Sequence, residues 1–174
     1  DYTSWKVVGD LDFANDKTAY MMECPNLVFI NDQPVLLYCP QGLSKDVQDY
    51  GNIYPNMYKI GQSFDTNKAA MIDPSPIQNL DYGFDCYATQ AFNAPDGRAL
   101  AVSWLGLPDV EYPSDRFDHQ GVFSLVKELT LKDGKLYQYP VPAIKDLRAE
   151  AQPFTALVES KNSYELEPVS YTHL

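Results

Sequence analysis

Glu23-Cys24-Pro25-Asn26 places a carboxyl beside a thiol and a proline, at the entry to an apolar run. Partial withdrawal from water favours the protonated form of a carboxyl, and that form suits a general acid. The competing reading is a strand-edge glutamate facing solvent, where most glutamates sit. Leu80-Asp81-Tyr82-Gly83-Phe84-Asp85-Cys86-Tyr87-Ala88 holds two carboxylates four positions apart, interleaved with aromatic rings. Such rings pack on the C–H faces of a sugar, and carboxylates accept its hydroxyl hydrogen bonds. Asp81, Asp85 and Tyr87 are therefore candidates for a sugar site. A glycine turn entering a buried aromatic strand accounts for the same residues equally well. Trp104 ends a strand-like run, where it would either stack on a ligand or pack into a core.

Other chemistry is thinly provided. Cys24, Cys39 and Cys86 are an odd number without metal-ligand spacing, and two histidines add little to them. Structural thiols in a reducing, cytoplasmic compartment fit better than a disulfide framework or a metal site. No glycine-rich phosphate loop, Gly-x-Ser-x-Gly elbow or nicotinamide fingerprint occurs, so no metal and no organic cofactor is expected.

These residues must be positioned by a mostly β framework. The 174 residues are 45% hydrophobic and 21% charged, a globular composition. The net charge of -11 repels phosphate backbones, which argues against nucleic acid as a partner. No apolar run is long enough to cross a bilayer. Thirteen tyrosines and thirteen prolines favour strands and break helices. Three hairpins are predicted. Residues 26–30 and 35–38 flank Asn31-Asp32-Gln33-Pro34; 85–92 and 98–104 flank Ala94-Pro95-Asp96-Gly97; 121–131 and 135–141 flank Asp133-Gly134. In the last, Phe123, Leu125, Leu129 and Leu131 are expected on one face. Residues 65–79 read as a loop, 143–152 as a short helix or linker, and 155–159 and 164–167 as new strands. Repeated hairpins suggest propeller blades or a sandwich.

The motifs carry a family resemblance. Glu23-Cys24-Pro25-Asn26-Leu27 resembles the "ECPNL" segment of the β-fructosidases, family 32 of the glycoside hydrolases. Residues 80–88 resemble their "LDYGFDFYA" segment, with Cys86 where Phe is usual. Residues 98–106 resemble the strand that ends "AWMG", and 129–142 the segment that closes the catalytic domain. The matches run in order from about Trp5 to Arg148. The resemblance implies an all-β fold, a five-bladed propeller followed by a β-sandwich. Residues 1–142 would be part of the propeller, and 143–174 the linker and first sandwich strands.

It also implies retaining hydrolysis of a terminal fructosyl bond, in sucrose or sucrose-6-phosphate, by two carboxyl groups. Glu23 matches the acid/base residue and Cys24 the adjacent thiol that tunes it. Asp81, Asp85, Tyr87 and Trp104 match segments that approach the substrate. The partner implied is a small sugar. The family's nucleophile lies in an "NDPNG" segment and its transition-state-stabilising Asp in an "RDP" segment, and neither occurs here. Asn31-Asp32-Gln33-Pro34 and Ile72-Asp73-Pro74 both follow Glu23 and do not substitute for them. Val126-Lys127 stands where the family has Pro-Arg. The sequence opens on Asp1 without Met or a targeting stretch. The expectation is a fragment with exposed blade faces, inactive alone. The alternative is a non-catalytic carbohydrate-binding propeller.

Overall fold

The computed structural model describes residues 3–15, 19–43 and 54–150. Eleven strands and two short 3₁₀ turns form among them. β1 (Met21–Ile30), β2 (Gln33–Gln41), β3 (Met57–Ile60) and β6 (Gln78–Asn79) make one antiparallel sheet in that order. Between β3 and β6 the chain makes a small separate hairpin, β4 (Ser63–Asp65) with β5 (Ala70–Ile72). β7 (Cys86–Asn93), β8 (Ala99–Leu105), β10 (Lys127–Lys132) and β11 (Lys135–Pro140) make the second sheet, with β9 (Val122–Phe123) also paired to β8. The first sheet has four strands and the second five, β9 added to a four-stranded meander of the kind that makes a propeller blade. The expected all-β partial propeller is what forms.

β2 explains how the two sheets meet. Its residues 34–40 are buried on both faces, so it reads as an unbroken apolar run rather than an alternating one. Alternation still sorts the side chains. Val35 and Leu37 join Val28, Ile30, Tyr58 and Ile60, and these pack against Ala99, Ala101 and Leu129 of the second sheet. Leu36 and Tyr38 point the other way, into a cluster with Met57 and Met71. Small alanines on β8 let the sheets approach. Truncating Leu37, which has no exposed surface, would cost about 2–5 kcal/mol.

The outer face of the second sheet is different. Phe92, Leu100, Glu128 and Tyr139 form one cross-strand row by register. Phe92 and Tyr139 are exposed there, as is Tyr137. That is an apolar blade face with no sheet over it among the described residues.

Several sequence expectations need correction. The first hairpin turns on Asn31-Asp32 alone, with φ of 51° and 63°, and Gln33 and Pro34 already belong to β2. Asn and Asp tolerate positive φ, so two residues close the turn. Residues 121–131 are not one regular strand. β9 and β10 pair with the same edge of β8, but their registers differ by one residue across 124–126. A one-residue slip reverses the faces. Phe123 and Leu125 are consequently exposed while Leu129 is buried, and the four do not share a face. The stretch 65–79, read as loop, contains β5 and β6. Pro142–Leu147 is a 3₁₀ turn. The strands expected at 155–159 and 164–167 lie outside the described residues.

Candidate active site

Two irregularities build the site. The β1–β2 ladder slips between Glu23 and Asn26, with Cys24 at φ 47°. The β7–β8 ladder slips between Tyr87 and Gln90, with Ala88 at φ 50°. Both are bulges, which re-aim side chains where a regular ladder would not. Non-glycine residues at such φ cost free energy and persist only where neighbours hold them. Asn26 is that neighbour. Its Nδ2 donates to the Cys24 carbonyl at 2.7 Å and to the Thr89 carbonyl at 2.9 Å. Its Oδ1 accepts from the Ala91 N–H at 3.0 Å. One carboxamide thus ties the bulge carrying Glu23 to the bulge beside Tyr87. Asn93 repeats the device farther along, bonding both backbone groups of Phe29 at 2.8 and 2.7 Å.

The result is a polar constellation around Glu23. Tyr87, only 5% exposed, donates its hydroxyl to Glu23 Oε2. Gln41 Nε2 donates to the same oxygen at 2.6 Å and to the Tyr87 hydroxyl at 3.1 Å. The Gln41 carbonyl accepts from the exposed Tyr20 hydroxyl at 2.9 Å. Among the described residues no hydrogen bond reaches Glu23 Oε1. Burial, and then the bond to Glu23, push the Tyr87 phenol well above its ordinary value, so it stays a donor. Tyr54 lies against Tyr87, with ring centroids 5.1 Å apart and planes tilted by 50°. Its hydroxyl donates to Asp109 Oδ2, and that bond is the main cause of its raised phenol pKa.

The thiols are inert in this setting. Burial, followed by the charge of Glu23, raises the Cys24 thiol. Cys39, 1% exposed, is pushed up to about 12, chiefly by burial. Burial also raises Cys86. Thiolates are scarce under these conditions, so none is a ready nucleophile. Behind the site Asn56 Nδ2 donates to Thr89 Oγ1 at 2.7 Å, and Thr89 shares a 2.7 Å hydroxyl bond with Ser103. This buried network fixes β7 under Tyr87.

Trp104 faces Tyr87 across the β7–β8 ladder. Its indole lies between two glycines. A Cβ on Gly106 would come within 2.3 Å of the ring, and one on Gly121 within 2.3 Å of Nε1. Gly121 also sits at φ +69°. The indole N–H donates to the Gln120 carbonyl at 3.4 Å.

Glu23, Cys24, Tyr87 and Trp104, singled out from sequence, therefore fall in one region. Cys24, Trp104 and Tyr54 all pack against the buried cluster of Cys39, Tyr87 and Leu107. The two aspartates have other partners. Asp81 accepts from the Gly83 N–H at 2.8 Å and lies 3.8 Å from Lys127 Nζ. Asp85 accepts from the Gly106 N–H through its carbonyl, and its carboxylate lies beside Tyr112. Gln41, Tyr54 and Asp109 were not anticipated. Once the Asn31-Asp32 turn is fixed, antiparallel counting along β1 and β2 brings Gln41 close to Glu23, so that signal was available. Nothing local announces Tyr54 or Asp109. Among the described residues no three His, Cys, Asp or Glu side chains gather as metal ligands.

Comparison with known proteins identifies the family. The sequence model described as "Glycosyl hydrolases family 32 N-terminal domain" matches residues 1–140. A Streptococcus mutans protein named sucrose-6-phosphate hydrolase is 66% identical over 167 residues, covering 96% of this chain and 35% of its own length. A solved sucrose-6-phosphate hydrolase from Lactobacillus gasseri has a TM-score of 0.78 at 57% identity, over 84% of this chain and 30% of that one. A Bombyx mori family-32 β-fructofuranosidase variant, solved in complex with sucrose, has a TM-score of 0.69 at 33% identity. It covers 76% of this chain and 28% of its own. This chain thus spans about a third of the length of the curated relatives it matches.

Proposed function

This chain belongs to family 32 of the glycosyl hydrolases, a family of five-bladed propellers, and we propose that it supplies the proton-donating part of a β-fructofuranosidase. The substrate proposed is sucrose or sucrose-6-phosphate, after the names of the relatives. The observation that carries the reading is the one-sided hydrogen bonding of Glu23. Tyr87 and Gln41 both occupy Oε2. A proton held by this carboxyl is therefore directed to Oε1, which no hydrogen bond reaches among the described residues. In the first step Glu23 delivers that proton to the glucosyl oxygen as the C–O bond to fructose breaks. In the second it takes a proton from the attacking water.

A retaining mechanism needs a second carboxyl about 5 Å from the first, as nucleophile. The family resemblance assigns that nucleophile to an "NDPNG" segment, which does not occur in this sequence. Tyr87 and Cys24 are assigned to orienting and surrounding the acid. Trp104 is assigned to the wall of the substrate site. Asp81 and Asp85 enter as anchors of the loops before and after β7 and β8. Residues 1–142 are assigned to the propeller and 143–174 to the linker and the start of a sandwich. Three unpaired thiols suit a cytoplasmic setting.

Glucose release from sucrose by the isolated chain tests the assignment. None is expected, because removing one member of a cooperating set collapses the rate. Turnover by the chain alone, abolished in Glu23→Gln, would overturn it. Calorimetric binding of sucrose without turnover, by the protein carrying this chain, would favour the carbohydrate-binding reading instead.

A further inference from the structure

We propose that Tyr20 and Gln41 form a positioning arm for Glu23, in which Tyr20 holds the Gln41 amide so that it donates to the acid. This rests on the reading of Glu23 as the proton donor. The Gln41 amide nitrogen has two hydrogens, and both are used. One goes to Glu23 Oε2 at 2.6 Å and the other to the Tyr87 hydroxyl at 3.1 Å. Tyr87 passes its own proton to Glu23 Oε2. Three side chains thus close a ring of hydrogen bonds, and both donors that reach the carboxyl arrive at Oε2.

Only one orientation of the amide gives that ring. With Gln41 turned over, its carbonyl oxygen would stand where Nε2 stands, acceptor against acceptor. Tyr20 opposes the turn. Its hydroxyl donates to Gln41 Oε1 at 2.9 Å, and its N–H donates to the Gln41 main-chain carbonyl at 3.0 Å. The ring lies over Gly42, where an added Cβ would come within 2.5 Å of it. Gly42 also sits at φ +76°, a conformation that glycine adopts without strain. Tyr20, just before β1, therefore grips the end of β2 by main chain, ring and hydroxyl. What the arm sets is where a proton sits on Glu23. Two donors on Oε2 exclude a proton from that oxygen. Without the amide, Oε2 keeps Tyr87 alone, whose hydroxyl can turn and accept instead. A proton on Oε2 points into the network, away from the oxygen from which Glu23 is proposed to deliver it. The arm should therefore matter for a leaving group that needs the proton and little for one that does not.

The test is made in the full-length protein that carries this chain. kcat/KM is measured for sucrose and for p-nitrophenyl β-fructofuranoside in wild type, Tyr20→Phe, Gln41→Met and the double variant. The sucrose-to-phenyl ratio is expected to fall about tenfold in Gln41→Met, which loses a bond to a charged group, and about fivefold in Tyr20→Phe, which loses a neutral one. The double variant should match Gln41→Met, because Tyr20 acts through the amide. A purely structural role would lower both substrates together and leave the ratio alone. A wild-type ratio in either variant overturns the proposal. So does an additive loss in the double variant, which would set Tyr20 against the substrate rather than behind Gln41. Tyr20 is 75% exposed, so Tyr20→Phe decides the matter even where Gln41→Met does not fold. A ratio that fails to fall in Glu23→Gln would instead overturn the reading of Glu23, and this proposal with it.

Discussion

Tyr87, on an edge strand of one sheet, donates its hydroxyl to the carboxylate of Glu23 on an edge strand of the other. The bond spans two blades and sixty-four positions of sequence. Its geometry depends on two facing bulges, and these depend on one side chain. Asn26→Ala would leave two carbonyls and one N–H without their partner. A loss of about 3 kcal/mol is expected, near 1 kcal/mol for each bond. Urea unfolding of the protein carrying this chain measures it. Asn93→Ala, more exposed and with two bonds, should cost less.

Gly106→Ala tests the packing of Trp104. The added Cβ overlaps the indole at 2.3–2.5 Å, so the ring or the strand must shift. The expected loss is about 1–3 kcal/mol, as for other overpacked sites. A change in tryptophan emission should accompany it. An unchanged spectrum and unchanged stability would mean that the indole does not sit against Gly106.

Alkaline pH should weaken the fold through Cys39. Its thiol is raised from 9.0 to about 12, first by burial. The folded chain thus holds this proton where the unfolded chain has already released it. The contribution to stability is complete below pH 9 and is lost as pH rises towards 12. The slope is at most about 1.4 kcal/mol per pH unit for this one group. Denaturant unfolding at pH 8, 9.5 and 10.5 should show the decline, and Cys39→Ala should flatten it. An equal slope in the variant would place the effect elsewhere, with Tyr87 the next group to examine.

Much of this architecture was legible in the chain. Asn31-Asp32 and Asp133-Gly134 mark their turns because those residues adopt positive φ readily, and both hairpins form. Glu23, Cys24, Tyr87 and Trp104 were marked by motif and do converge. The bulges were only partly legible: Pro25 marks a strand edge or bulge, but Ala88-Thr89 look like ordinary strand residues, and the cross-blade bonds that hold both slips are not displayed by sequence. The break at 124–126 was hidden for a similar reason. Ser124 bonds both backbone groups of Ser103, at 2.8 and 2.9 Å, and so adds a residue to the edge of β8. Gln41 and Tyr54 are long-range neighbours of Glu23 and Tyr87, and Asp109 of Tyr54, brought in by register and by loops.

The most direct test concerns the proton that Glu23 is proposed to deliver. kcat/KM is measured for wild type and Glu23→Gln in the full-length protein, with sucrose and with p-nitrophenyl β-fructofuranoside. The phenolate leaves without protonation, whereas the glucosyl oxygen does not. Activity on sucrose should fall by about 10²–10⁴-fold, and activity on the phenyl substrate far less. A folded Glu23→Gln protein that cleaves sucrose at near wild-type rate, or loses both activities equally, would contradict the account.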